Sequence, residues 1–191
     1  MSPERLEKLN RLRDYIVSKI SNQQEVNLLF ICVQNSRRSH LAQVLAQDAA
    51  SRFQINNIYC YSGGVEVTRV HSNTIKTLQS LGYLIQQKTD GENPIYECVF
   101  NKNKSSVLLY SKNFEEITSK LSQFAAVMVC SETETNCPYV PGAEMKILLP
   151  YDDPKAADNS TNPLLEYIRV AKQIQEEMEI IFQNVRKAVT V

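Results

Sequence analysis

The sequence predicts a single-domain α/β sandwich, a mostly parallel sheet covered by helices on both faces. Three observations predict it. Apolar runs of strand type alternate with helical periodicities, the links between them are short, and 191 residues are enough for one sizeable core. No internal repeat or second domain emerges. Residues 1–25 read as a helical extension and 26–191 as the domain proper.

Taken in order, Leu6, Leu9, Leu12, Ile16 and Ile20 recur at spacings of three and four, which predicts an amphipathic helix over 3–21. The run 26–32 is apolar enough to be a strand buried on both faces. A helix over 39–53 follows, with Leu41, Val44, Leu45 and Ala49 on one stripe. Residues 57–62 read as a second strand ended by a Gly63-Gly64 turn, and 71–81 as a helix stopped by Gly82. The polar stretch 85–104 gives no clear element, and a short strand is expected at 107–110. Strands are expected at 125–130 and 146–149, then a turn over 150–154. A closing helix, about 163–188, should bury Leu165, Ile168, Ala171, Ile174, Met178 and Ile181.

Lys plus Arg and Asp plus Glu number 21 each, so no global charge bias points to nucleic acid or an anionic membrane. No segment has the apolar length to span a bilayer, and the charged N-terminus lacks a signal-peptide core, so a cytoplasmic protein is expected. Five cysteines form an odd, irregularly spaced set, a poor disulfide framework that points instead to catalytic or redox use of some of them. With two histidines and neither CxxC nor HExxH, no metal site is expected.

The chemistry concentrates in Cys32-Val33-Gln34-Asn35-Ser36-Arg37-Arg38-Ser39. Strand, short polar loop and helix in that order gather backbone N–H groups and the positive end of a helix dipole around one sulfur. Such a cradle suits a tetrahedral oxyanion and favours the thiolate form of the cysteine, and Arg38 can close it with a two-pronged fork. In a parallel sheet ligands sit beyond the carboxyl ends of the strands. Cys32, Cys130 and Asp153 each follow such an end and should meet at one rim.

Cys32 to Ser39, with the downstream Asp153-Pro154, resembles the low-molecular-weight protein tyrosine phosphatase superfamily. Cys130 through Cys137-Pro138 resembles its thioredoxin-coupled arsenate reductase branch. The likeness covers about 26–185. It implies a three-layer sandwich on a four-stranded sheet, with Cys32 as nucleophile, residues 33–39 binding the oxyanion and Arg38 clamping it. It further implies that Asn35 shapes the loop, Ser39 hydrogen-bonds the thiolate, and Asp153 is the general acid, with Asp152 the second choice. Cys130 would then attack the Cys32 adduct and Cys137 would attack Cys130, passing the disulfide to thioredoxin, with no bound cofactor. A helical 130–137 would hold the last two cysteines about 10.5 Å apart, beyond the roughly 7 Å a disulfide spans, so the segment must unwind. The polar run Ser131 to Asn136, with Pro138 just beyond Cys137, suits that.

Other residues carry ordinary readings: Cys60 and Cys98 as core, Glu132 and Glu134 as a solvated face, His40 lining a helical turn, and His71 solvated or capping. The sequence also departs from the family pattern. Gln34 stands where glycine is usual, implying strain or a shifted loop, and Arg37 adds charge at the rim. Gln43 replaces an acidic residue through which some reductases bind potassium, so that ion is not expected. Lys155-Ala156-Ala157 replaces the aromatic wall of a phosphotyrosine slot, which favours a reductase over a phosphatase. A non-catalytic oxyanion-binding module is the remaining alternative.

Overall fold

The first strand, β1 (Val26–Cys32), is buried at every position because it lies in the middle of the sheet with a layer on each face. The computed structural model describes residues 1–100, 105–131 and 139–189. β1 pairs in parallel with β2 (Ile58–Gly64) and β6 (Ala125–Met128), and β6 pairs in parallel with β7 (Met145–Leu148). The four-stranded sheet therefore runs β2-β1-β6-β7, all parallel. Registers Cys32↔Gly64, Ile31↔Met128 and Met128↔Leu148 bring the strands to a common carboxyl edge.

The period-two alternation of β1 divides the interior. Leu28, Phe30 and Cys32 join the larger core with α1 (Pro3–Ser21), α2 (Arg38–Arg52), α3 (Ser72–Ser80) and α5 (Pro163–Val189). Leu29 and Ile31 join a smaller one with Phe114 and Ile117 of α4 (Phe114–Thr118) and with Phe124. Both faces are covered, but unequally. The expected stripe of α2 is buried as expected. In α5 the stripe begins later than expected: Leu165 is exposed, and Tyr167 and Val170 turn inward instead. Leu9, Leu12 and Ile16 of the N-terminal extension belong to the larger core.

Two expectations fail. Gly63-Gly64 is not a turn but the end of β2, paired with Ile31 and Cys32. A Cβ on Gly64 would stand 2.6 Å from the Asn35 nitrogen and 2.7 Å from the Val33 carbonyl, so glycine is required there by close approach of the loop. The polar stretch after α3 carries a second, antiparallel sheet of β3 (Leu84–Gln87), β4 (Tyr96–Val99) and β5 (Ser106–Leu109). Its strands are four residues long and half solvated, so they lack the apolar run that marked the main sheet. The strand expected at 107–110 lies in this sheet. α4 went unforeseen: it is five residues, too short for a periodicity.

Candidate active site

Residues 33–37 form the loop between β1 and α2, and the carbonyls of 33–36 turn outward to fixed donors. Val33 O accepts from the amides of Val65 (2.7 Å) and Glu66 (2.9 Å), and Ser36 O from the His71 amide (3.0 Å) and Thr74 Oγ1 (3.1 Å). Gln34 O accepts from Ser111 Oγ (2.9 Å) and Thr68 Oγ1 (3.2 Å), and Asn35 O from His40 Nε2 (2.8 Å). Asn35 takes a left-handed φ of 44°, which Asn tolerates better than most residues. Gln34 is not in that region, so its replacement of glycine strains nothing. The amides of residues 34–37 donate to no acceptor among the described residues. A loop whose carbonyls are held by outside donors and whose amides lack acceptors, ahead of a 15-residue helix, has the make-up from which anion-binding concavities are built.

Cys32 stands at its floor, almost fully buried, with Sγ 3.0 Å from Ser39 Oγ. Asn35 Nδ2 donates to the same hydroxyl at 2.8 Å, and Asn35 Oδ1 accepts from the Lys112 amide at 3.0 Å, which fixes the amide's orientation. Ser39 thus accepts from Asn35, and Sγ is the acceptor within reach of its own proton.

The three rim residues do converge. Asp153 caps the 3-10 turn Pro154–Ala157 and pairs its Oδ2 with Arg38 Nη2 at 2.7 Å, while Arg38 Nη1 donates to Tyr151 O at 3.2 Å. Asp152 turns the other way, to Arg169 on the surface. Of the two aspartates only Asp153 faces the loop. Cys130 is fully buried and its thiol donates to Ile31 O at 3.6 Å, on the residue before Cys32. Cys137, Glu132 and Glu134 lie outside the described residues. Cys60 and Cys98 are core cysteines as expected, burial raising the Cys98 thiol to about 12 and the Cys60 thiol further.

Arg37 corrects an expectation. It is buried rather than displayed at the rim, with Nε donating to Tyr167 Oη (2.7 Å) and Nη2 pairing with Asp158 (2.6 Å). Tyr167 donates to Asp158 at 2.6 Å and stacks on His71, whose Nδ1 caps α3. The side chain's charge is spent on Asp158, and the residue serves the loop through its backbone.

The family model for low molecular weight phosphotyrosine protein phosphatase matches residues 27–191. The chain belongs to this family. Among curated members it is 26% identical over 153 residues to arsenate reductase 2 of Staphylococcus haemolyticus, spanning 80% of this chain and 92% of that one. Among solved structures it is similar to an arsenate reductase of Archaeoglobus fulgidus (20% identity, 82% of this chain and 98% of that one, TM-score 0.54). A low molecular weight protein tyrosine phosphatase of Bacillus subtilis matches comparably (15%, 85% and 98%, TM-score 0.56). The family match begins at Asn27, so α1 lies outside it.

Within this family frame, sequence reasoning missed Ser62, His40, Lys112, Tyr167 and Asp158. His40 is fully buried between Asn35 O and Ser62 Oγ (3.1 Å), and burial, with Lys112 nearby, holds its pKa far below the ordinary value. The only forewarning was a histidine in the first turn of a helix, directly before its apolar stripe.

Proposed function

We propose that this protein is an arsenate reductase that works through a Cys32, Cys130, Cys137 relay recycled by thioredoxin. The observation that carries the reading is Cys130, a second cysteine seated on the backbone at the shoulder of Cys32. Hydrolysis through a cysteine adduct needs only water to finish, whereas reduction needs two electrons from a further thiol.

In the proposed cycle the Cys32 sulfur attacks arsenic, the loop amides and Arg38 neutralise the oxygens, and Asp153 gives a proton to the departing oxygen, which leaves as water. Cys130 then attacks the Cys32 sulfur. The S–As electron pair returns to arsenic, arsenite departs, and a Cys32–Cys130 disulfide remains. Cys137 attacks Cys130, frees the Cys32 thiolate, and leaves a Cys130–Cys137 disulfide for a dithiol reductant of the thioredoxin kind.

The alternative is phosphomonoester hydrolysis, the activity of the family's name. Against it stands the turn after Asp153, where Lys155 and Ala156 are exposed and supply no aromatic wall. The deciding measurement is arsenate-dependent NADPH oxidation in the presence of thioredoxin and its reductase. Turnover abolished by Cys130→Ser supports the relay. No turnover, together with aryl phosphate hydrolysis that survives Cys130→Ser, would sink it.

A further inference from the structure

Lys112 buries its ammonium behind the loop. The residue is 5% exposed, and among the described residues no carboxylate stands within ion-pair distance of it. Nζ donates instead to Tyr110 O (3.0 Å) and Ser62 Oγ (3.3 Å), and lies 4.3 Å from the centroid of the Tyr110 ring. Lysine is seldom buried without a carboxylate, since desolvating its charge is costly.

The bonds that follow have one possible direction. An ammonium only donates, so Ser62 Oγ accepts from Lys112. At the far end the Asn35 carbonyl only accepts, so His40 carries its proton on Nε2 and presents Nδ1 as an acceptor. Ser62 must therefore donate to Nδ1. Drawing the Asn35 carbonyl back toward His40 turns the next amide, Ser36 N–H, to the opposite side of the same planar peptide, into the concavity. The Lys112 backbone grips the loop independently: its amide donates to Asn35 Oδ1, and its carbonyl accepts from the Gly64 amide at 3.0 Å.

We propose that Lys112 is a positioning residue for the oxyanion loop: its ammonium, acting through Ser62 and His40, orients the Asn35 peptide and places a positive charge behind the anion seat. This rests on the reading of the loop as an oxyanion site.

A dependence on pH follows. Burial brings the Lys112 ammonium down to about 8, opposed by Glu116 of α4. Of the other titratable groups around it, His40 on α2 stays neutral, and burial keeps Cys60 and Tyr61 of β2 and Tyr110 protonated well above that pH. The positive charge is present below about pH 8 and lost as pH rises through it.

The test is calorimetric binding of inorganic phosphate to the full chain between pH 6.5 and 9.5, comparing wild type with Lys112→Met and Lys112→Arg. Lys112→Met keeps both backbone bonds, and ionisation of phosphate is common to all three proteins. At pH 7 the methionine variant should bind about tenfold more weakly, the gap closing toward unity by pH 9.5. The arginine variant should retain most of the affinity and show no loss of its own near pH 8. A wild-type to methionine ratio of one throughout, or a ratio independent of pH, overturns the proposal. Should Lys112→Met not fold, an arginine variant whose alkaline loss coincides with that of wild type overturns it equally. Absence of phosphate binding by the wild type overturns the functional reading itself, and this inference with it.

Discussion

The loop between β1 and α2 is held by two flanks of opposite character. In front, toward the segment that carries Asp153, charged pairs hold it: Arg38 with Asp153 and Arg37 with Asp158, each with a partly exposed carboxylate. Behind, it is held by a directional chain of buried groups, Lys112, Ser62, His40 and Asn35, with no carboxylate in it. An ion pair near solvent can exchange its carboxylate for another anion at modest cost. A buried chain cannot change partners without leaving a polar group unsatisfied. On the proposed reading the front would admit a substrate and move a proton, and the back would keep the loop's shape while that happens.

The sharpest way to break the front is Arg38→Lys. Lysine keeps the charge but not the planar fork that reaches Tyr151 O and Asp153 together. Turnover should fall by about 10² to 10³, the effect of removing one preorganised oxyanion donor, while the thermal midpoint moves little. A loss in kcat below tenfold would mean that Arg38 serves mainly to hold Asp153.

Much of this front was legible in the sequence, because it hangs on covalent neighbours: strand, loop and helix fix Cys32 against Ser39, and Asp-Pro marks the turn. Choosing Asp153 over Asp152 rested on the resemblance, in which the general acid is the residue directly before the proline. The back was not legible. Ser62, His40 and Lys112 come from β2, α2 and the residues after β5, and nothing in their local pattern separates them from an ordinary strand, helix and polar loop. Gly63-Gly64 misled for a related reason, since a glycine demanded by a neighbouring backbone reads like one demanded by a turn. The second sheet hid in a stretch whose four-residue strands carry no long apolar run.

Asp153 has a second, more distant support. Arg5 of α1 pairs with the buried Glu177 (2.7 Å), donates to Pro150 O (2.8 Å) and covers the ring of Tyr151, whose hydroxyl also donates to Glu177 (2.6 Å). The helix outside the family match thus pins the chain at Pro150 and Tyr151, three and two residues before Asp153. Arg5→Met should cost about 2 to 3 kcal/mol in urea unfolding, somewhat under the figure for breaking a fully buried pair. Adding Glu177→Gln should return part of it, because the cost is an unpaired carboxylate. If the double variant is no more stable than Arg5→Met, the pair contributes packing rather than charge. The comparison sharpens further if Arg5→Met lowers kcat while leaving phosphate binding intact, which would place α1 on the front flank alone.

The smallest effect separates the flanks by acid. Burial foremost, then Lys112, depresses the folded pKa of His40 far below the unfolded value, so below about pH 6.5 the unfolded chain takes up a proton that the folded chain refuses. This contribution is intact above pH 6.5 and lost as pH falls, at about 1.4 kcal/mol per unit for one proton. His71, lowered by burial and then Arg37, adds a smaller share. Within the front, His71 alone adds to this response, because although burial works against it, Tyr167 and Arg37 hold Asp158 below the ordinary carboxylate range. Between pH 7 and 5.5 the urea midpoint of wild type should therefore drop at constant slope, and it should drop as far in His71→Gln less only that residue's share. A midpoint flat across this range would mean that His40 accepts a proton in place, reversing the polarity of the chain from Lys112. The rear flank would then be as adaptable as the front, and the contrast between them would fall.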